Sequence, residues 1–325
     1  MMSKRFSQKR YKVGYNGRDA LLRDKSGAVA LILVIWIMII LVAIVAEFSY
    51  SMRTEILITQ NFKEEEEAYQ LALAGFEYAK AEIGAVEDMQ GVFLNEEGVL
   101  IFDEDVLEPV RTKDLGRGNF EYTITDEDGK LDINNATHDQ LSYIFIESGL
   151  DSDEAAAIAD SIIDWRDPPD FHMLNGAEED YYRDLDEPYS CKDGPFDSIE
   201  ELLLVKGMTK EILYGSVDDE EEEKAYSGVV DSLTVNGSLE INVNTAPRVV
   251  IEAVMGIAAA DNVILQREAG FVSEIPGNGK LISEFFTIIS KGTNADGNIK
   301  RSVKAVVHKK PDKMEIVYWN DNFIR

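Results

Sequence analysis

The 325-residue chain contains one cysteine, three histidines and eight prolines. The lone Cys191 excludes an intrachain disulfide and a cysteine-based zinc site. Neither a Ser/His/Asp order, a glycine-rich phosphate loop nor a nucleotide fingerprint occurs. Positive charge is scarce outside one stretch. Residues 1–27 hold eight Lys/Arg against two Asp, a net of +6, which leaves −35 for the rest of a chain whose total is −29. Such a body repels nucleic acid and anionic headgroups, and its carboxylates suit hard cations wherever several converge.

Two further absences shape the N-terminal region. No charge interrupts Ser26–Ala46, and neither proline nor glycine occurs in residues 28–74. Twenty-one helical residues span roughly 30 Å, the thickness of a bilayer core. A secretory signal peptide has a shorter apolar region, about 7–15 residues, and ends in a small-residue cleavage site. The block therefore predicts a membrane helix with its basic end cytoplasmic and the remainder on the far side. Phe48, Met52, Ile56, Ala68, Leu71, Ala72 and Phe76 continue a helical apolar rhythm, so one helix of about 50 residues is expected. A plain anchor is one reading. The other is a pilin-like start, in which a basic leader ending in Gly27 is cut before Ala28.

Downstream, "GNFEYTITDEDGKLDINN" alternates at Phe120, Tyr122 and Ile124, turns at Asp128-Gly129 and resumes at Leu131 and Ile133, which predicts a hairpin. Residues 134–270 read as mainly helical, with a degenerate repeat. "DINNATHDQL…" and "INVNTAPRVV…" each lead through an apolar helix to a glycine, Gly149 or Gly256, and into a second helix. "FDSIEELLLVKGMTKEIL" repeats the idea. These units are similar to helix-hairpin-helix modules, many of which bind DNA. Their turns lack a basic cluster, so packing is the expected role and nucleic acid is not an expected partner. "SVDDEEEEKAYSG" reads as a solvated acidic loop. The C-terminal segments alternate as strands and predict a small antiparallel sheet, so the helical region is an insertion in an α+β domain.

The stretch with most chemistry is "DWRDPPDFHMLNGAEEDYYRDLDEPYSCKDGPFDSIEELLLVKGM". Pro168 and Pro169 end a helix, which leaves Asp167 and Asp170 in a loop. Glu178, Glu179 and Asp180 follow, then Asp193 and Asp197. Oxygen donors on glycine-containing loops are what Ca²⁺ requires. The competing readings are a solvated acidic loop, with Asp164 and Arg166 in local ion pairs, and a carboxylate pair for glycoside hydrolysis, for which no aromatic cleft is readable. His172 reads as an ordinary loop residue.

Taken together, Gly27 with its apolar successor, "DEDGKLDINNAT", "ADSIIDWRDPPD", "GAEEDYY", "PYSCKDGPFDSIEELLLVKGMT" and "INVNTAP" resemble the type II secretion minor pseudopilin K family. The resemblance implies a leader at 1–27, a transmembrane segment at 28–47, a pilin-like domain in two parts, 48–133 and 276–325, and an inserted helical domain at 134–275. It implies a non-enzymatic subunit at the tip of the pseudopilus, single-pass in the bacterial inner membrane, with its C-terminal domain periplasmic. A prepilin peptidase would cut between Gly27 and Ala28, and Ala28 would be methylated. The implied partners are minor pseudopilins I and J, the inner-membrane assembly platform and the lipid bilayer. Pilin-like proteins generally carry Glu five residues after the cut; here that place is Ile32, which fits a tip subunit. The family implies structural calcium, for which Asp167, Asp170, Glu178 and Asp180 are the expected ligands, with Asp193 and Asp197 beside them. A membrane-anchored periplasmic hydrolase or binding protein using the acidic loops is the alternative.

Overall fold

A computed structural model describes residues 17–87, 89–94, 100–102, 110–168, 172–216, 225–274, 277 and 279–323, with side chains from residue 27 onward. Helix α1 runs Gly17–Ala85 without a break; it includes the stretch 28–74, free of proline and glycine, and continues through Gly75 and Gly84, so it is longer than the roughly 50 residues expected. From Gly27 it contains a window of mean hydropathy 3.4, long and apolar enough to cross a membrane. Residues 1–63 and 64–325 form two units.

The second unit carries a five-stranded antiparallel sheet. Its strands are β3 (Arg111–Leu115), β4 (Gly118–Asp126), β9 (Phe285–Thr293), β10 (Lys300–Lys309) and β11 (Met314–Asn320), in the order β11-β10-β9-β4-β3. Alternation decides which face of β4 is covered: Phe120, Tyr122 and Ile124 point inward and are buried. They pack with Phe286, Ile288, Ala305 and Val307 against Leu71, Phe76, Ala79 and Ile83 of α1. The helix lies close on the sheet because Gly292 has no side chain; a β-carbon there would stand 2.0 Å from the Ala68 carbonyl oxygen. Two short strands, β1 (Phe93–Leu94) and β2 (Leu100–Ile101), pair beside this core.

Between β4 and β9 lie β5 (Leu131–Asp132), α2 (His138–Glu147), α3 (Ser152–Arg166), α4 (Glu179–Arg183), a 3₁₀ turn (Ile199–Leu204), α5 (Lys210–Tyr214), β6 (Leu233–Thr234), β7 (Ile241–Asn242), α6 (Arg248–Met255), α7 (Ile257–Glu268) and β8 (Gly279–Lys280). Their apolar residues form a separate core that includes Leu141, Phe145, Ile158, Ile162, Trp165, Tyr182, Leu202, Leu213, Val250 and Val263. The acidic stretch "DDEEEEK" (218–224) lies outside the described residues.

The expected hairpin after β4 does not form. β4 pairs with β3 and β9, whereas β5 pairs in parallel with β6. The cause lies in the turn. Asp128 is fully buried and its Oδ2 accepts from the backbone N–H groups of Glu284 and Phe285, tying the exit of β4 to the entry of β9. Lys280 Nζ lies 2.5 Å from Asp128 Oδ1. Asp126 Oδ1 accepts from the Asp128 amide at 2.9 Å, and its Oδ2 accepts from Thr245 Oγ1 and Ser283 Oγ. The polar run "DED" thus fastens the point where the helical insertion leaves and re-enters the sheet.

The internal repeat is geometric as well as textual. β5 pairs with β6 and β7 with β8, both in parallel. Asn134 N–H donates to Asp132 Oδ1, and Asn244 N–H to Asn242 Oδ1, both at 2.9 Å. Asn134 holds Phe196 through two hydrogen bonds, of 3.1 and 2.7 Å; Asn244 holds Val272 through two, of 3.0 and 2.7 Å. Arg166 donates to the carbonyls of Ile133 and Ala136, and Arg267 to that of Val243. Gly149 and Gly256, at φ 112° and 84°, make the turns between the paired helices.

Candidate metal centre

The site is built on the last turns of α3. Asp160 and Asp164 stand four residues apart and so share one helix face. That face is turned to the 172–178 loop. Asp164 Oδ1 accepts from the Met173 amide at 2.9 Å, and Asp160 Oδ2 from the Asn175 amide at 3.1 Å. Lys206 Nζ donates to the carbonyls of Asn175 and Gly176 from the other side. A β-carbon at Gly176 would lie 1.8 Å from Asp164 Oδ2, so only glycine lets the loop pass this close. Arg166, which the solvated-loop reading put in a local ion pair along with Asp164, donates to the carbonyls of Ile133 and Ala136.

Glu178 immediately precedes α4 but does not cap it with its side chain. It is buried, at 7% exposure, and neither carboxylate oxygen has a hydrogen-bond partner. Asp164 Oδ2 and Asp167 Oδ1 are likewise buried and without one. Unpaired buried carboxylates are costly. Burial pushes Glu178 up to about 7, with Asp164, Asp193 and Asp167 adding to the shift. Burial raises Asp164 and Asp167 as well.

The 190–193 segment closes the site. Glu179 Oε2 accepts from the Cys191 amide at 2.8 Å, while its Oε1 takes Arg183 Nε at 2.6 Å. Trp165, Tyr182, Tyr189 and Phe196 pack ring against ring behind it. Two overlapping donor groups result, each with its ligand atoms within 4.8 Å of one another: Asp164, His172 and Glu178; and Glu178, Cys191 and Asp193.

Of the residues singled out in the sequence, Glu178 and Asp193 stand in these groups and Asp167 lies close enough to shift Glu178. Asp180 is on the exposed side of α4, where its Oδ1 accepts from the Tyr181 amide. Asp197 is exposed and paired with Lys192 Nζ at 2.7 Å. Asp170 lies outside the described residues. Sequence reasoning gave no ligand role to Asp164, read as a local ion-pair partner, to His172, read as an ordinary loop residue, or to Cys191. The i, i+4 spacing of Asp160 and Asp164 at the end of an apolar helix was the available signal for the first. The donor set suits a hard divalent cation, since Asp164 Oδ2, Asp167 Oδ1 and both Glu178 oxygens are buried carboxylate oxygens without a hydrogen-bond partner and Asp193 adds a carboxylate at the exposed edge.

A long N-terminal helix whose C-terminal part packs on an antiparallel sheet, with a helical insertion between two central strands, defines a pilin-like α+β fold. The fold matches a chain in the crystal structure of the GspK-GspI-GspJ complex from the enterotoxigenic Escherichia coli type 2 secretion system, with a TM-score of 0.54 and 19% identity over 81% of this chain and 98% of that one. No curated protein matches the chain. Residues 119–214 match the family described as type II secretion system (T2SS), protein K.

Proposed function

We propose that the chain is the minor pseudopilin K of a type II secretion system, set at the tip of the pseudopilus and supporting its assembly and protein export across the outer membrane. The observation that carries this reading is the protein K match, which spans the return from β4 into the insertion and the whole candidate metal centre, behind a helix of membrane length. The apolar part of α1 would anchor it as a single pass in the inner membrane, with the C-terminal domain periplasmic. Ile32 in place of the filament glutamate supports a position with no subunit stacked beyond. Minor pseudopilins of the I and J classes are the proposed partners, as in the matched complex. The assembly platform and the prepilin peptidase complete the set. The paired helices are read as helix-hairpin-helix-like packing units, since Gly149 and Gly256 turn between helices that contribute to one core.

Within this reading the inserted domain holds calcium as a structural ion. Asp164, Asp167, Glu178 and Asp193 would hold it. The ion would supply positive charge to Asp164 Oδ2, Asp167 Oδ1 and the Glu178 oxygens, which are otherwise buried without partners.

Intact-mass analysis of the membrane form tests the processing that the assignment requires. A mass beginning at a methylated Ala28 is expected; retention of residues 1–27 would contradict it.

A further inference from the structure

The two outer strands of the five-stranded sheet differ in what they turn toward α1. β3 presents Arg111, paired with Glu82 at 2.8 Å, and Lys113, whose Nζ lies 4.8 Å from the centre of the Tyr78 ring. Charged side chains of this kind are the usual protection of a strand at the margin of a sheet. β11 presents Met314, Ile316 and Trp319 instead, opposite Lys309, Val307 and Ala305. Trp319 meets Phe76 of α1 edge to face, with ring centroids 5.1 Å apart, yet stays 36% exposed. Ile316 is 49% exposed and Val317, next to it, 44%. The width of the sheet explains this bare ledge. Gly292 and Ser290 of β9, the middle strand, make the close contacts with α1. β11 lies two strands away, about 9.6 Å at the usual spacing, and a helix with its side chains is only about 10–12 Å across. One helix therefore cannot cover both β9 and β11.

We propose that the ledge of Met314, Ile316 and Trp319 beside α1 is a docking surface for the N-terminal helix of a neighbouring minor pseudopilin, an inference that rests on the tip-subunit reading. Packed helices have axes about 8–10 Å apart, so a helix laid alongside α1 comes to rest over β11. A strand fits the ledge less well. The register slips between Val306 and Val307, which leaves Val317 with no residue opposite. Such a bulge interrupts the ladder that an added strand would need. Charge points to the same partner. Lys80, Lys310 and Lys313 rim the ledge against Glu77 and Glu315, a cationic margin on a chain of net charge −29. An acidic helix complements that margin. A second copy of this chain is a poorer occupant, because two strongly acidic bodies repel each other.

The test uses the full chain, co-expressed with I- and J-class minor pseudopilins, with the photo-crosslinking residue p-benzoylphenylalanine at position 316. Irradiation of the membranes should link this position to one of the two subunits, with the linked peptide in its N-terminal helix. Ile316→Lys and Val317→Lys give β11 the residue type that β3 already carries. Each should weaken the complex about tenfold or more. Both side chains are exposed, so thermal unfolding of each variant alone should match the wild type. A link to a strand or to a second copy of this chain overturns the proposal. So does the absence of any link while the three subunits still co-purify, or a complex indifferent to both lysines. The crosslink keeps the proposal open to refutation if a lysine variant fails to fold. A wild-type chain that forms no complex overturns the tip-subunit reading, and this inference with it.

Discussion

Gly176 and Asp164 are in such close contact that a β-carbon on the glycine would stand 1.8 Å from the Asp164 Oδ2 oxygen and 3.2 Å from the Asp160 carbonyl. The 172–178 loop and the end of α3 are therefore matched to each other, and the acidic centre depends on both. Gly176→Ala should push the loop off the helix, with a cost of about 1–3 kcal/mol typical of forced overpacking. The same variant should lose any stabilisation by calcium. Thermal unfolding with and without calcium checks both parts; an unchanged transition would show that the loop yields freely.

Removal of the cation should be visible without mutation. An ion held only by the folded state stabilises it by about 2.7 kcal/mol when its concentration is 100 times the dissociation constant. EGTA should lower the unfolding temperature of the wild type. Glu178→Gln and Asp164→Asn should abolish the difference between calcium and EGTA. Because both carboxylates are buried and Asp164 Oδ2 and both Glu178 oxygens lack a partner, each variant should also be at least as stable as the wild type in EGTA. A wild type indifferent to EGTA would remove calcium from the account.

The two asparagine clamps make a paired prediction. Asn244 is fully buried and holds Val272 through both its amide groups, while Asn134 is half-buried and holds Phe196 in the same way. Asn→Ala leaves a backbone donor and an acceptor unpaired at either place, at about 1–3 kcal/mol. Asn244→Ala should cost more, since water cannot replace what is lost. Urea midpoints of the two variants compare them directly, and an equal or reversed order would contradict the role given to burial at Asn244.

The junction of the insertion with the sheet should titrate. Burial pushes Asp126 up to about 7, and the charge of neighbouring Asp128 adds to the shift, against hydrogen bonds from Ser283, Thr245 and the Asp128 amide. In the unfolded chain the group titrates near 3.8. The folded state thus binds the extra proton, and stability falls as pH rises from about 4 to about 7. Asp126→Asn should flatten that part of the curve, measured in EGTA to keep the metal centre out of the comparison. A slope unchanged by the substitution would place the titration elsewhere.

Much of this architecture is legible in the sequence because its causes are local. The absence of proline and glycine from residues 28–74 marks the central part of α1. Period-two alternation gives β4, β9, β10 and β11. The repeated Asn-x-Ala step marks Asn134 and Asn244 before their bonds are seen. What stays hidden depends on distant partners. The parallel pairing of Leu131 with Leu233 joins residues about a hundred positions apart, so "DEDGKLDI" looked like a hairpin. Glu178 and Asp193 were readable as acidic loop residues, but Asp164 sits in a helix whose inward face only the fold reveals. Asp180 and Asp197 share the composition of the site without its location. One is on the exposed face of a short helix and the other is occupied by Lys192.

The central claim is that this chain joins other minor pseudopilins at the tip of a secretion pseudopilus. Co-expression with I- and J-class minor pseudopilins, followed by native mass measurement in detergent, tests it most directly. The account predicts a complex containing one copy of each subunit, with Ala28 at the N-terminus of this one. A chain that purifies alone from cells making all three, while I and J still pair with each other, would contradict it.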